Sequence, residues 1–257
     1  MPKVRLDTLL LQRGLCEART KAQAMILAGK VLIQDRPITK AGAQVAEDAI
    51  IRLRGEDTPF VGRGGIKLEG ALNAFKIDPA GHTCFDAGAS TGGFTDCLLQ
   101  HGAARIYAVD VGTNQLHWKL RSDTRVISIE QCNLRDWAPS TIPEKCSLLV
   151  ADLSFISLKL AIPPILPSLE LGAAAILLVK PQFEAGRGAV EKGGLVKNPA
   201  VHESVCRNIW DFFSDTQLRP QQLAPSPIPG GKGNREFFVC LRLGAIPCPF
   251  PGMPQCQ

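Results

Sequence analysis

Residues 84–96, CFDAGASTGGFTD, constrain the fold more than any other part of the chain. Cys84 and Phe85 continue an apolar approach that reads as a strand, Asp86 ends it, and Gly88, Gly92 and Gly93 form a turn where backbone must lie close to something. A helix is expected from 94 to 100. Strand, acidic residue, glycine turn and helix in this order make the first crossover of a nucleotide-binding α/β sheet, whose ligand lies at the strand's carboxyl end.

Three ligand chemistries compete for such a loop. A dinucleotide loop reads GxGxxG, whereas this one reads GxxxGG and lacks the spacing that cradles a pyrophosphate. A phosphate loop reads GxxxxGK[ST], and residues 88–95 match it except that Phe94 stands in place of the lysine, leaving a polyphosphate without its side-chain counterion. S-adenosyl-L-methionine carries an ammonium and a carboxylate at its amino acid end. An acidic strand end with free backbone N–H groups suits that pair. The plain alternative is a tight glycine turn in a domain of another kind.

A chain of 257 residues can hold one large α/β domain and a small companion. Its 29 Lys and Arg against 24 Asp and Glu are unevenly spread, with eight basic and three acidic residues in positions 1–40. That asymmetry points to a polyanion partner for the N-terminal end. The start has no apolar signal core and the longest purely apolar run is 173–179, so a secreted or membrane-spanning protein is disfavoured. Nine cysteines without a CxxC pair read as thiols of a reducing cytosol, and four histidines add no metal spacing. A cytoplasmic protein without a metal or a membrane partner is expected; nothing in the sequence signals an oligomeric state.

Helical spacing over 5–13 turns Leu6, Leu9 and Leu10 inward, and over 17–28 Ala22, Met25 and Ile26, with short strands expected at 31–33, 37–38 and 49–53. Arg5, Arg13, Arg19, Lys21 and Lys30 fall mainly on the polar sides, as a solvated face or as a polyanion contact. The run RLDxLLxxRG followed by ARxKAQxxIxAGxV resembles the S-four RNA-binding domain through about Leu53, which implies structured RNA held through phosphates and shape.

Residues 55–65 read as a polar, glycine-rich joint, and from 66 a helical pattern places Leu68, Ala71, Leu72 and Phe75 inward with Lys67 off the stripe, where a lysine is ordinarily solvated. Strand 105–109 ends in Asp110, placed to accept from ribose hydroxyls, and strand 126–129 leads to Asn133, Leu134 and Asp136, which meet a base edge or are ordinary turn residues. Strand 148–151 ends in Asp152 and strand 173–179 in Lys180. Charges at the carboxyl ends of central strands serve ligands more often than packing. Residues 184–198, with four glycines, look like a mobile flap; a helix over 199–213, a proline-broken strand near 222–226, the loop GGKGNR and a last strand over 236–243 follow.

FVGRGGIKLEG, DAGASTGGFTD, AVDVG, ADLSFISL, LLVKPQFE and GGKGNREFF together resemble the TlyA (haemolysin A) family, RNA 2′-O-ribose methyltransferases with an FtsJ-like domain behind an S-four module. The resemblance implies an α/β fold: a Rossmann-like S-adenosylmethionine-dependent methyltransferase with a largely parallel, doubly wound sheet and a small α+β RNA-binding domain. It divides the chain into 1–61, a linker at 62–66, the catalytic domain at 67–246 and a frayed tail at 247–257. It implies a catalytic tetrad of Lys67, Asp152, Lys180 and Glu236. Cofactor contacts fall on Asp86, Gly88, Ser90, Gly92, Gly93 and Phe94 around the methionine end, on Asp110 and Val111 at the ribose, on Asn133 and Leu134 at the adenine, and on Asp152. Arg5, Arg13, Arg19, Lys21 and Lys30 would bind RNA, and Arg63 would touch RNA or couple the domains. The implied partner is ribosomal RNA or a ribosomal subunit, with a cytidine as target.

Such chemistry needs a group of this kind, because a ribose hydroxyl is a poor nucleophile and in-line attack on a sulfonium methyl requires loss of its proton. A lysine serves as base only when neutral. A neighbouring lysine and burial favour that form, two carboxylates oppose it, and the four titrate as a unit, with Lys180 the favoured base. Two rivals differ in class. A membrane-lytic protein would need a spanning segment that the chain lacks, and a non-catalytic ribosome-assembly factor would not need four charges at these positions.

Overall fold

Alternation within the strands decides the architecture. Cys84, Leu148, Val150, Ile176 and Leu178 face one buried layer, whereas Phe85, Leu149, Ala151, Ala175 and Leu177 face another. Strands apolar on both faces must be covered on both, which calls for a sheet between two helical layers. The computed structural model, which describes residues 3–16, 18–33, 36–53, 59–191 and 193–254, has this form. Glu17, residues 54–58 of the expected joint, Lys192 of the expected flap and 255–257 of the tail lie outside the described residues. The chain forms two compact units, Met1–Thr58 and Pro59–Gln257.

In the first unit, β1 (Lys3–Arg5), α1 (Leu6–Gln12), α2 (Arg19–Leu27), β2 (Val31–Ile33), β3 (Arg36–Ile38), β4 (Gln44–Ala46) and β5 (Ile51–Leu53) follow one another. Leu6 and Leu10, one turn apart on α1, meet Ala22 and Ile26 of α2 over Val31 in a small core. β2 lies between β3 and β5, and β1 pairs with β4, an interaction that the sequence pattern did not reveal. Asp7 is buried at the start of α1 and accepts hydrogen bonds from Arg5 Nε (3.0 Å) and Nη2 (2.9 Å), Arg19 Nε (3.1 Å) and Gln23 Nε2 (3.0 Å). The Arg5 guanidinium holds that carboxyl well below the usual carboxylate range against the opposing effect of burial.

The second unit begins with α3 (Arg63–Phe75), then β6 (Thr83–Ala87), α4 (Gly93–Gln100), β7 (Arg105–Val109), α5 (Trp118–Arg121), β8 (Val126–Ile129) and β9 (Cys146–Ala151). It continues through α6 (Leu158–Ala161), β10 (Leu169–Val179), α7 (Pro181–Glu184), α8 (Pro199–Ser214), β11 (Leu218–Pro225) and β12 (Phe237–Leu243). Seven strands lie in the order β11-β12-β10-β9-β6-β7-β8, parallel from β10 to β8, with β12 antiparallel between β10 and β11. Strand order reverses between β6 and β9, so the crevice at their carboxyl ends is where this topology binds a ligand.

Two expectations are corrected. Helix α3 begins at Arg63, so residues 63–66 are its first turn rather than a linker. Their glycines permit close packing: a Cβ at Gly65 would collide with Phe60, and one at Gly64 would press on Phe94 at 3.3 Å. The described part of the tail is docked rather than frayed, because Cys248, Phe250 and Met253 pack on the core. Trp210 Nε1 donates to Cys248 O (3.0 Å), and Arg207 lies 4.4 Å from the Phe250 ring centroid.

Candidate active site

The glycine turn takes its shape from its neighbours. Gly88, at φ +83°, lies so close to β9 that a Cβ would sit 2.8 Å from Asp152 O, and Gly92, at φ +96°, would carry a Cβ into Leu120. Gly88 and Ala89 donate their N–H groups to Val109 O (2.8 and 3.2 Å), which ties the turn to the end of β7. Asp110, just beyond, accepts from Ser90 N (2.8 Å) through Oδ2 and from Gly112 N (2.7 Å) through Oδ1.

Two adjoining cavities open at these strand ends. One, of about 420 Å³, is lined by Gly88, Ser90, Asp110, Val111, Asn133, Leu134 and Asp152 among the expected residues. The other, of about 170 Å³, is lined by Gly88, Ser90, Gly93, Phe94, Asp152 and Lys180. Shared walls make them one crevice. Its dimensions and chemistry fit S-adenosyl-L-methionine: an acceptor carboxylate and apolar walls for a nucleoside in the larger part, and the first-turn backbone of α4 at Gly93 and Phe94 with a carboxylate for an amino acid end in the smaller. Asp86 and Gly92 line neither part.

The sequence reading missed Val109, Gln115, Cys132 and residues 153–156 in the larger cavity. The run LSFIS after the Asp152 strand end was a usable signal for the last four. Phe155 is the most conspicuous of them, 91% exposed and at φ +65°, with its ring 4.9 Å from that of Phe183.

Asp86 sits inside β6, fully buried, with Oδ2 accepting from Thr95 Oγ1 (2.6 Å) and Oδ1 without a partner. Burial, and then the negative charges of Asp152 and Asp110, push its carboxyl up to about 7. A carboxyl raised above its ordinary value of 3.8 stabilises the fold fully below that value, and the contribution is lost as pH rises through about 7. Asp86→Asn is therefore expected to flatten the fall in melting temperature between pH 5 and 8 and to melt higher than wild type at pH 8. Parallel melting curves for the two proteins across that range would assign the charge elsewhere.

The four tetrad positions form two ion pairs. Lys180 Nζ lies 2.5 Å from Asp152 Oδ1, off hydrogen-bond alignment, and donates to Ser154 Oγ (3.0 Å). Lys67 Nζ donates to Glu236 Oε2 at 2.6 Å. Strand register makes the pairs neighbours: Val179 faces Phe237 across β10 and β12, so Lys180 and Glu236 occupy the next step, and Gln182 Nε2 reaches Glu236 Oε1 at 3.4 Å. Lys67 is 8%, Lys180 9% and Glu236 3% exposed. The expectation of a solvated Lys67 does not hold, because the residue before the buried Leu68 faces Glu236 rather than water. Lysines this buried require partners, and each has a carboxylate.

The basic residues are more occupied than their exposure suggests. Arg5 and Arg19 engage Asp7, Arg13 donates to Ala49 O (2.7 Å) and Glu47 O, and Arg63 to Pro229 O (2.7 Å). Among the described residues no three His, Cys, Asp or Glu side chains are grouped to hold a metal ion. Cysteines described are free, and burial pushes the Cys146 and Cys206 thiols up to about 12.

An FtsJ-like methyltransferase family model matches residues 60–243, and an S4 domain model matches residues 4–51. The 16S/23S rRNA (cytidine-2′-O)-methyltransferase TlyA of Mycobacterium tuberculosis is 42% identical over 241 residues, 93% of this chain and 90% of that one. The chain belongs to the FtsJ-like methyltransferases of the TlyA family. Hemolysin A of Brachyspira hyodysenteriae is 40% identical over 237 residues, covering 92% of this chain and 98% of that protein. A solved structure from Streptococcus thermophilus, named as a candidate hemolysin, is 42% identical with a TM-score of 0.74, over 96% of this chain and 90% of that one. Among the described residues no helix is long and apolar enough to cross a membrane. Membership in a methyltransferase family accounts for the crevice, and an S4 domain accounts for the basic N-terminal unit.

Proposed function

We propose that the protein transfers a methyl group from S-adenosyl-L-methionine to the ribose 2′-hydroxyl of a cytidine in ribosomal RNA, in the cytoplasm. What carries the reading is the pair of lysine–carboxylate bridges side by side at the strand ends, one of them in the wall of the crevice. The relatives whose names specify cytidine-2′-O-methylation support the choice of target.

When bound, the cofactor supplies an electrophilic methyl carbon on a sulfonium. With that methyl group in place, the Lys180 amine would take up the proton that a ribose 2′-hydroxyl loses as its oxygen becomes the nucleophile. Asp152 and Ser154 aim Lys180 at the hydroxyl. Glu236 fixes Lys67 beside them, where its positive charge faces the oxygen as that atom becomes more negative. Asp110 would accept from ribose hydroxyls of the cofactor with Val111 beside it, and Leu134, Leu153 and Ile156 would wall the adenine. The exposed Phe155 ring offers a stacking surface to a nucleobase.

Two measurements test the reading. Isothermal calorimetry should give saturable cofactor binding, weakened about 10- to 100-fold by Asp110→Ala, since a charged acceptor is worth about 1.5–3 kcal/mol. Mass mapping of ribosomal RNA with and without the gene should show one or more ribose methyl groups disappear. Binding that Asp110→Ala leaves unchanged would dislodge the cofactor assignment, and an unaltered methylation map would leave a non-catalytic RNA-binding role.

A further inference from the structure

The loop GGKGN at 230–234 is not used by the mechanism above, yet it holds a buried side chain, Asn234, with three hydrogen bonds. Asn234 is 3% exposed. Its Oδ1 accepts the Val196 N–H (2.9 Å), and its Nδ2 donates to Gly194 O (2.8 Å) and Gly231 O (3.3 Å). From the other side His202 on α8, equally buried, reaches Val196 O through Nε2 at 2.8 Å, which requires the proton on that nitrogen. Both backbone polar groups of Val196, at the end of the 184–198 segment, are therefore gripped by buried side chains.

The same residues lead to the tetrad. Asn234 O accepts the Gly230 N–H at 2.8 Å, and the Glu236 carboxylate rests on Gly230 so closely that any Cβ there would collide with it. His202 also packs against Phe237, the residue after Glu236, with ring centroids 5.7 Å apart and the rings tilted by 57°. Val196, Gly230, Asn234 and Glu236, all buried, form one connected unit within a largely exposed segment and loop, and Glu236 sets Lys67.

The geometry assigns to Asn234 and His202 a positioning role: they clamp the end of the 184–198 segment to the loop beneath Glu236, and so hold the Lys67–Glu236 pair in register with Lys180. The segment that looks like a mobile flap in the sequence is thus tied at its far end, at Val196, to the loop beneath Glu236. This assignment rests on the methyl-transfer reading. A buried asparagine that merely satisfied loop backbone would affect stability alone. A positioning residue must change turnover in folded, cofactor-bound protein.

The test uses full-length protein, labelled methyl donor and ribosomal subunits from cells lacking the gene. Asn234→Ala is expected to lower kcat about 10- to 100-fold, the scale of a displaced catalytic group, with cofactor Kd within about twofold, because neither clamp residue lines the crevice. In a Lys67→Met background the same substitution should cost less than about threefold, since it acts through that pair. His202→Ala should lower kcat in the same direction, and His202→Gln, which keeps an N–H donor, should recover most of it. A kcat of Asn234→Ala within twofold of wild type, an equal loss in the Lys67→Met background, or a defect wholly in cofactor affinity overturns the assignment. Should Asn234→Ala not fold, the His202 pair decides on the same criteria. An active wild type with a fully active Asn234→Ala overturns this inference alone, whereas an inactive wild type overturns the methyl-transfer reading with it.

Discussion

Lys180→Met is expected to lose about 10²- to 10⁴-fold in methyl transfer, the usual cost of removing a general base, while cofactor affinity stays within about twofold. Methionine keeps most of the apolar stem and removes the amine that pairs with Asp152 in the wall of the crevice. It also leaves Asp152 without its ion-pair partner; the side chain as a whole is partly exposed, but Oδ1, which faces Lys180, is buried, so a melting curve of the variant accompanies the assay. Lys67→Met should lose activity too, through the position of its partner group. The double variant should cost much less than the product of the singles, since the two pairs act as a unit. Single-turnover methylation of ribosomal subunits, beside calorimetry with the cofactor, measures both quantities. Near wild-type rates for Lys180→Met, or a defect confined to cofactor binding, would remove Lys180 from the chemical step.

Deleting residues 1–58 should abolish methylation of structured RNA and spare cofactor binding. The catalytic unit starts at Pro59 and has its own core around Phe60, Leu68, Leu98 and Phe238, so the crevice persists. What goes is the module whose Arg5 and Arg19 are oriented by the buried Asp7 carboxylate, each guanidinium retaining further N–H groups for phosphate. RNA affinity of the full chain should fall steeply with salt, and that of the truncated chain should be weaker with a shallower slope. Filter binding at 50–300 mM salt and a methylation assay follow the two effects. Full activity of the shortened protein on ribosomal subunits would take the N-terminal unit out of the mechanism.

Much of the site could be read along the chain because its parts stand at strand ends, where a local pattern stops abruptly. Asp110, Asp152 and Lys180 each follow an apolar run, and the glycines of 88–93 announce a close approach whatever lies opposite. The apolar periods likewise located most of the helices and strands to within a few residues. These are local properties, set by side-chain alternation and backbone sterics, and one sequence suffices to see them.

The family resemblance grouped Lys67, Asp152, Lys180 and Glu236, but which charge meets which was decided by tertiary structure. The Lys67–Glu236 bridge spans 169 positions of sequence, and no periodicity relates a helix at the start of a domain to the first step of its last strand. That strand, β12, enters antiparallel between β10 and β11, which is what sets Glu236 beside Lys180. Lys67 reads as solvated by its place beside an apolar stripe, but long-range packing turns it toward a carboxylate. The glycines of 62–65 look like a joint and are instead sites of close packing, Gly64 against Phe94 of α4 and Gly65 against Phe60, because a missing Cβ serves close packing and mobility equally well and only the neighbour tells them apart. The tail after Pro247 has the composition of a frayed end, yet Phe250 finds Trp210 and Arg207 on α8. In each case sequence determined the residue's chemistry, and the partner that gives the chemistry its use came from a distant part of the chain, chosen by burial of the whole sheet.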